Sequence, residues 1–396
     1  MSGLRLFYHP KLYALDATAD LFAQAMRQNL EHHLRHCPEY AGVLEARGFD
    51  PTAVRGIEDL HLIPPLPTAY LKRHTLYSAP ERRLHFKSTT SGTSGRVSMI
   101  GLDSGTALRA AGMVLTTFFT HRLVSARRTN YLVLGYQPAK HNRMGAARTA
   151  YATTFAAPAK HRAFALRDTG TGYEADLDAL VRTLSDYAAQ NRPVRLIGFP
   201  AYFMFLLDEL RDAGVAVKLH PKSLILLAGG WKQFFAEQLD KPELYARTEA
   251  TLGIGDRRIR EFFGAVEHPI CYFDCPNHHF HVPIYSRLII RDADTLEPVG
   301  FGQPGLVNLL TPMVTSMPYT SVMTDDLAVL SPPGSCGCGI ESPHFDVLGR
   351  VGLNDIRTCA ASAAELLSGL GAGTPSASAA GGAGSRTAAS GEGGRR

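Results

Sequence analysis

Short apolar segments alternate with helix-length segments through the middle of this chain. The apolar segments are rich in leucine, valine and isoleucine, as is typical of strands buried on both faces. Strands are predicted for TNYLVLGY, VRLIGF and SLILLAGG, and helices for 103–121, 174–191, 201–213 and a segment from about 232. Strands separated by helices predict an α/β fold in which helices cover both faces of a mostly parallel sheet.

The flanking segments have different patterns. Residues 15–50 carry apolar side chains at helical spacing, which predicts helix. The proline-rich stretch 61–72 is predicted to be extended, because each proline disfavours helix at the residue before it. From about residue 282, apolar runs on either side of a turn predict a small β subdomain.

Composition and charge exclude several classes of function. Of the 396 residues, 45% are hydrophobic, which is enough for a large core. The formal net charge is +5, and the basic residues are scattered, so we expect no nucleic-acid partner. The most apolar segment, 196–207, contains a proline and is shorter than the ~20 residues of a membrane span. With no signal-peptide pattern at the N-terminus, a cytoplasmic protein is expected.

A loop rich in glycine and hydroxyl groups lies near residue 90. Residues 88–96 read Ser-Thr-Thr-Ser-Gly-Thr-Ser-Gly-Arg, so the backbone can approach a ligand closely and offer N–H and O–H donors. Such a loop suits a polyphosphate, although no lysine follows the second glycine as it does in the common NTPase loop. On composition alone, a flexible Ser/Gly turn is the alternative.

The string Thr-Ser-Gly-Thr-Ser-Gly resembles the signature of adenylate-forming enzymes, and four further motifs follow in that family's order. They are Leu227–Lys232, Phe262–Glu267, Thr324–Asp326 and Gly349–Arg350. The resemblance implies the large N-terminal domain of an adenylate-forming (ANL) enzyme, with ATP and Mg²⁺ as cofactors and Glu267 as the Mg²⁺ ligand. The residues that it assigns to cofactor binding are Thr90, Ser91, Gly92, Thr93, Ser94, Gly95, Gly229, Gly230, Glu267, Asp326 and Arg350.

Cysteine and histidine are concentrated in two short segments. Four histidines and two cysteines lie within 268–281, and Cys-Gly-Cys-Gly follows at 336–339. A Cys-x₅-His pair and two further thiolates can complete a closed, structural Cys₃His zinc site. The expected ligands are Cys275, His281, Cys336 and Cys338. A similar arrangement marks the phenylacetate-CoA ligases and the acyl-protein synthetases of bacterial luminescence. Surface histidines and a tight CGCG turn are the alternatives.

The segment after Arg350 differs from that of a typical CoA ligase. Only 46 residues follow Arg350, and none of them is lysine, so the family's mobile C-terminal domain and its lysine are expected to be absent. Lys232 is the first candidate for the replacement cation, ahead of Arg350 and Arg96. Residues 349–359 resemble the end of LuxE-type acyl-protein synthetases, in which a near-terminal cysteine carries the acyl group, and this cysteine maps to Cys359.

These resemblances imply an acyl-protein synthetase, which is an AMP-forming acid–thiol ligase. A carboxylic acid, expected to be a fatty acid, is activated to acyl-AMP, transferred to Cys359 and passed to a partner such as an acyl-protein reductase. Catalytic roles fall to Cys359, Lys232 and Glu267. The alternatives are a CoA ligase of the phenylacetate type and a non-catalytic nucleotide-binding protein.

The expected organisation has four parts. A helical N-terminal segment at 1–60 precedes the adenylate-forming catalytic domain at 61–350. A terminal segment at 351–365 carries the acceptor cysteine. The tail at 366–396 is expected to be disordered, because its residues bury too little apolar surface to offset the entropy of ordering.

Overall fold

Two β-sheets with flanking helices make up the described part of the chain. The computed structural model describes residues 2–89, 98–139, 142, 144–229 and 239–351. In chain order the strands are β1 (Leu66–Pro67), β2 (Phe86–Thr89), β3 (Met99–Leu102), β4 (Thr129–Tyr136), β5 (Ala159–Asp168), β6 (Tyr173–Ala175), β7 (Val194–Gly198), β8 (Leu224–Ala228), β9 (Ile259–Ala265), β10 (His268–Phe273), β11 (Phe280–His281), β12 (Arg287–Arg291), β13 (Pro304–Leu310), β14 (Ser321–Ser331) and β15 (His344–Arg350). The helices are α1 (Ser2–Phe7), α2 (Ala19–His36), α3 (Pro38–Glu45), α4 (Thr68–Leu71), α5 (Ser104–Thr120), α6 (Gly145–Thr153), α7 (Leu177–Ala189), α8 (Pro200–Asp212) and α9 (Lys241–Leu252).

The larger sheet has the strand order β10-β9-β8-β7-β4-β5-β6 among the described residues. From β5 through β4, β7 and β8 to β9, neighbouring strands are parallel, while β6 and β10 pair antiparallel at the two edges. Every residue of β4 is buried, as expected for a central strand covered on both faces. This confirms the predicted α/β fold with a mostly parallel sheet.

Helices α7, α8 and α9 bury their apolar faces against one side of this sheet. The start of each helix follows from the local sequence. The Asp176 carboxylate accepts the N–H of Ala179 at the start of α7, and Pro200 occupies the first turn of α8, where no N–H donor is needed. The buried residues of α8 include Tyr202, Phe203 and Leu206, which join the core under β7 and β8.

The smaller sheet is the predicted β subdomain. Its order is β11-β15-β14-β13-β12, with every neighbouring pair antiparallel, and β1 adds to β14 in parallel. The N-terminal helices pack on this sheet: Phe7 stacks on Tyr285 with ring centroids 4.9 Å apart. Asn29 of α2 donates to the Val314 carbonyl at 2.7 Å, so the helix is also held by a buried polar contact.

Several sequence predictions are confirmed and others are wrong. Strands β4, β7 and β8 lie where the apolar segments predict them. The stretch 61–72 is not extended throughout, because α4 begins directly after Pro67, whose fixed φ and missing N–H suit the residue that starts a helix. The start of the helix expected from about 232 falls in residues 230–238, which lie outside the described part, so this prediction is not tested; α9 begins at Lys241. Strand β5 was missed because its polar, exposed residues hide the apolar pattern.

No helix in the described ranges is long and apolar enough to cross a membrane. The predicted tail at 366–396 and the acceptor segment at 352–365 lie outside the described residues. The division into four parts therefore stays a prediction.

Gly305 in β13 provides a test of the packing between strands of the smaller sheet. An added Cβ would lie 2.3 Å from the Arg291 carbonyl oxygen, so the backbone must move to accept any side chain. We expect Gly305→Ala to lower the free energy of unfolding by about 1–3 kcal/mol in urea titrations. Gly300→Ala is the control, since nothing lies within 4 Å of its added Cβ. Equal unfolding midpoints for the two variants would contradict the described strand contact.

Candidate active site

Glu267 is a buried carboxylate just beyond the carboxyl end of β9. Its exposed fraction is 4%. Burial raises the pKa of Glu267, whereas the Ser98 hydroxyl and the charges of Lys72 and Arg350 act in the opposite direction. The Ser98 hydrogen bond and nearby positive charge therefore oppose the effect of burial and favour the ionised carboxylate, which is the form that can bind a cation.

Asp326 and Arg350 form an ion pair across two neighbouring strands. They are directly paired in the ladder between β14 and β15. Arg350 Nε donates to Asp326 Oδ1 at 2.9 Å, and Nη2 donates to Oδ2 at 3.4 Å. The forked contact fixes the orientation of both side chains. Two residues that the sequence assigned to one nucleotide site are thus in direct contact.

Lys72 is a charged residue of this cluster that the sequence analysis missed. Its ammonium lies 3.9 Å from Asp325 Oδ2, and the Thr68 hydroxyl donates to Asp325 Oδ1 at 3.3 Å. Both residues are brought to β14 because β1 pairs with that strand just before α4 begins. The signal in the sequence was Pro67, after which a helix can start. The prediction that 61–72 is extended obscured this signal.

The described residues on either side of segment 90–97 lie beside Glu267. Ser98 interacts with the Glu267 carboxylate. On the other side, Thr89 pairs with Met144. The adjacent Gly145 is so close to Val266 that an added Cβ would be 3.1 Å from its Cγ2 atom. The residues that flank segment 90–97 on both sides therefore lie near Glu267.

Several predicted site residues lie outside the described part of the chain. They are Thr90, Ser91, Gly92, Thr93, Ser94, Gly95, Arg96, Gly230, Lys232 and Cys359. Gly229 is described: it follows β8 directly, and its φ of 83° is in the left-handed region that favours glycine. Its position at the carboxyl edge of the sheet, one strand away from β9, agrees with the end-of-strand motif.

The four predicted zinc ligands lie together at the edge of the smaller sheet. One ligand atom from each of Cys275, His281, Cys336 and Cys338 falls within 4.8 Å of all the others. The Cys275 and Cys336 sulfurs are 3.4 Å apart, and Cys338 Sγ is 3.3 Å from His281 Nε2. Two thiolates on a tetrahedral zinc ion with Zn–S of about 2.3 Å would lie roughly 3.8 Å apart. The donor set fits a zinc ion after small shifts.

The surroundings of this cluster orient its ligands. His281 Nδ1 lies 3.0 Å from the Ser342 carbonyl oxygen, which leaves Nε2 directed at Cys338. Burial lowers the pKa of His281 to about 4, so the ring is the neutral imidazole that metals bind. The Asn277 N–H lies 3.3 Å from Cys275 Sγ, a contact that favours the thiolate. Cys271 and His278 are not in the cluster.

Comparison with known proteins identifies relatives among acid ligases. The chain is 24% identical over 329 residues to a long-chain-fatty-acid–luciferin-component ligase of Vibrio harveyi, covering 81% of this chain and 82% of that protein. It is 23% identical over 354 residues to a phenylacetate-coenzyme A ligase of Thermus thermophilus, covering 84% of this chain and 71% of that protein.

Solved structures share the fold. A crystal structure of 2-hydroxyisobutyryl-CoA ligase in an open conformation, in complex with 2-HIB-AMP and CoA, is similar with a TM-score of 0.63 and 16% identity. The similarity covers 86% of this chain and 77% of that chain. The fold is therefore that of the adenylate-forming CoA ligases, and no additional C-terminal domain is evident in the described residues.

The strongest evidence for identity comes from a family model that matches nearly the whole chain. The model of the LuxE acyl-protein synthetase family matches residues 4–368. This range includes the buried carboxylate site, the cysteine–histidine cluster and the segment with Cys359. The chain belongs to the LuxE family of acyl-protein synthetases and is a ligase.

Proposed function

We propose that this synthetase activates a fatty acid with ATP to form acyl-AMP, and then transfers the acyl group to Cys359. The observation that carries the proposal is the convergence of Glu267, Asp326 and Arg350 with both flanks of segment 90–97. These are the positions at which an adenylate-forming enzyme is expected to hold Mg²⁺, ribose and phosphates. The name of the relative in Vibrio harveyi supports a long-chain fatty acid as the substrate.

The first step forms a mixed anhydride. A carboxylate oxygen of the acid attacks the α-phosphorus of ATP, and the bond to the bridging oxygen breaks as pyrophosphate leaves. Mg²⁺ held by Glu267 would neutralise phosphate charge, and a hard carboxylate oxygen is the ligand type that Mg²⁺ prefers. Segment 90–97 would bind the departing phosphates through its N–H and hydroxyl donors.

A cation must also offset the charge that develops at the α-phosphate. Lys232 was the first candidate from sequence, and it lies outside the described residues. Lys72 is a further candidate beside Lys232, Arg350 and Arg96, because its charge acts on Glu267 and its ammonium pairs only loosely with Asp325 at 3.9 Å. A flexible ammonium at that distance can turn from Asp325 toward a phosphate oxygen. We propose that Lys72 supplies this charge.

The second step moves the acyl group to sulfur. The Cys359 thiolate attacks the acyl carbon of acyl-AMP, the bond between that carbon and the phosphate oxygen breaks, and AMP leaves. The thioester on Cys359 is then passed to a cysteine of a partner, for which an acyl-protein reductase is proposed. A CoA ligase is the competing function, supported by the similarity to phenylacetate-coenzyme A ligase.

Exchange of labelled pyrophosphate into ATP tests the first step. We expect exchange that depends on an added fatty acid, because the acyl-AMP step is reversible. Lys72→Met should reduce the rate about 100-fold, since it removes a charge that interacts with the developing phosphate charge. Lys160→Met is the control, because Lys160 is exposed and lies in β5.

Two outcomes would contradict these assignments separately. If Lys72→Met exchanged pyrophosphate at the full rate while Asp326→Ala was inactive, the role of Lys72 would be refuted and the proposed nucleotide site would stand. No exchange by the wild-type protein with any of a series of fatty and aryl acids would refute the proposed function.

Mass spectrometry of the intact protein tests the second step. After incubation with ATP and a fatty acid, the wild-type chain should gain one acyl group that hydroxylamine removes. Cys359→Ser should lose this thioester and keep pyrophosphate exchange, because the thiol acts only after acyl-AMP has formed. Thr358→Ser is the matched control. Formation of acyl-CoA by Cys359→Ser at the wild-type rate would instead favour the CoA ligase.

We also propose that Cys275, His281, Cys336 and Cys338 bind a structural zinc ion. Cys338→Ser should release about one zinc per chain in elemental analysis and lower the melting temperature by several degrees, because the metal ties the 275–281 segment to the 336–338 loop. Ser335→Ala is the control on the same loop, since Ser335 is exposed and its hydroxyl donates only to the Pro332 carbonyl oxygen. Unchanged zinc content in Cys338→Ser would contradict the assignment.

A further inference from the structure

The edge formed by β11 and β15 presents a row of metal-binding side chains on one face. His281 pairs with His344 in this ladder, and Phe280 pairs with Phe345. Successive side chains of a strand point to opposite faces. The two phenylalanines face the core, with ring centroids 5.5 Å apart. The residues on either side of them, which are His279, His281, His344 and Asp346, therefore share the other face.

His281 belongs to the cysteine cluster, and the remaining three residues form a separate group beside it. One ring nitrogen each of His279 and His344 and one oxygen of Asp346 lie within 4.8 Å of one another. His279 Nδ1 is 2.7 Å and 2.9 Å from the two carboxylate oxygens of Asp346. The His279 and His344 ring centroids are 4.8 Å apart.

An ion pair accounts for His279 and Asp346 but not for His344. The His344 residue is 5% exposed, and its Nδ1 atom is buried without a hydrogen-bond partner among the described residues. A buried imidazole nitrogen that lacks a partner costs free energy in the folded state. A metal ion shared with His279 and Asp346 would use one ring nitrogen of His344 as a ligand.

We propose that His279, His344 and Asp346 bind a second divalent transition-metal ion, next to the Cys₃His cluster. Two imidazoles and one carboxylate suit zinc, iron(II) or nickel(II) more than Ca²⁺ or Mg²⁺, which take oxygen ligands. The side chains of His279 and Asp346 are 36% and 43% exposed, so water can complete the coordination. The ion therefore exchanges faster than one enclosed by four protein ligands.

Metal titration of the full chain, without an affinity tag, tests this site. The protein is dialysed against a weak chelator, titrated with Zn²⁺ and analysed for bound metal per chain. We expect the wild type to bind one equivalent of Zn²⁺ that neither His344→Ala nor Asp346→Asn binds. Before Zn²⁺ is added, the three proteins should have the same melting temperature. The exposed His85 provides the control variant, His85→Ala, which should retain this equivalent.

Titration with Co²⁺ separates this site from the cysteine cluster. A cobalt ion bound by thiolates has a sulfur-to-metal charge-transfer band, and one bound by imidazole and carboxylate has none. The Cys338→Ser variant should take up Co²⁺ without showing that band. If this uptake is lost when Asp346→Asn is added, the result supports the second site even if the cysteine cluster holds no metal. If Asp346→Asn and His344→Ala bind as much Zn²⁺ and Co²⁺ as the wild type, the second site does not exist.

Discussion

The burial of the Glu267 carboxylate is the constraint on which the arrangement of the cleft depends. Burial at 4% exposure raises the pKa of the Glu267 carboxyl, and the Ser98 hydroxyl, a backbone hydrogen bond and the charges of Lys72 and Arg350 act in the opposite direction. Lys72 directly follows α4, whose preceding strand β1 pairs with β14, and Arg350 is the last residue of β15 in the smaller sheet. Glu267 itself extends from the larger sheet. Part of the electrostatic balance at Glu267 therefore depends on the packing of the two sheets against each other.

The periodic parts of the fold were accessible from sequence, while the irregular parts were not. Strands β4, β7 and β8 are continuous apolar segments buried on both faces, so hydrophobicity alone locates them. Strand β5 lies near the sheet edge and alternates irregularly between polar and apolar residues, which removes that signal. The short helix α4 begins directly after Pro67, which is a local signal, but its position beside β14 is a tertiary contact that no local pattern reveals.

The grouping of site residues was predicted better than their interactions. The motif order placed Glu267, Asp326 and Arg350 in one site, and the cysteine spacing selected four side chains that do lie together. Their catalytic and metal-binding roles stay predictions. Lys72 was missed because a single lysine in a proline-rich stretch resembles an ordinary surface residue. His344 and Asp346 were missed because the sequence His-Phe-Asp indicates a group of metal ligands only when β11 is known to lie beside β15.

Strand β15 connects the two groups of predicted site residues. Its seven residues begin at His344, beside the cysteine–histidine cluster, and end at Arg350, which is bound to Asp326. At about 3.3 Å per residue it spans roughly 20 Å, with a register shift against β14 between Val347 and Gly349. The cysteine–histidine cluster and the Arg350–Asp326 ion pair therefore stand at opposite ends of one strand, joined by an unbroken stretch of backbone.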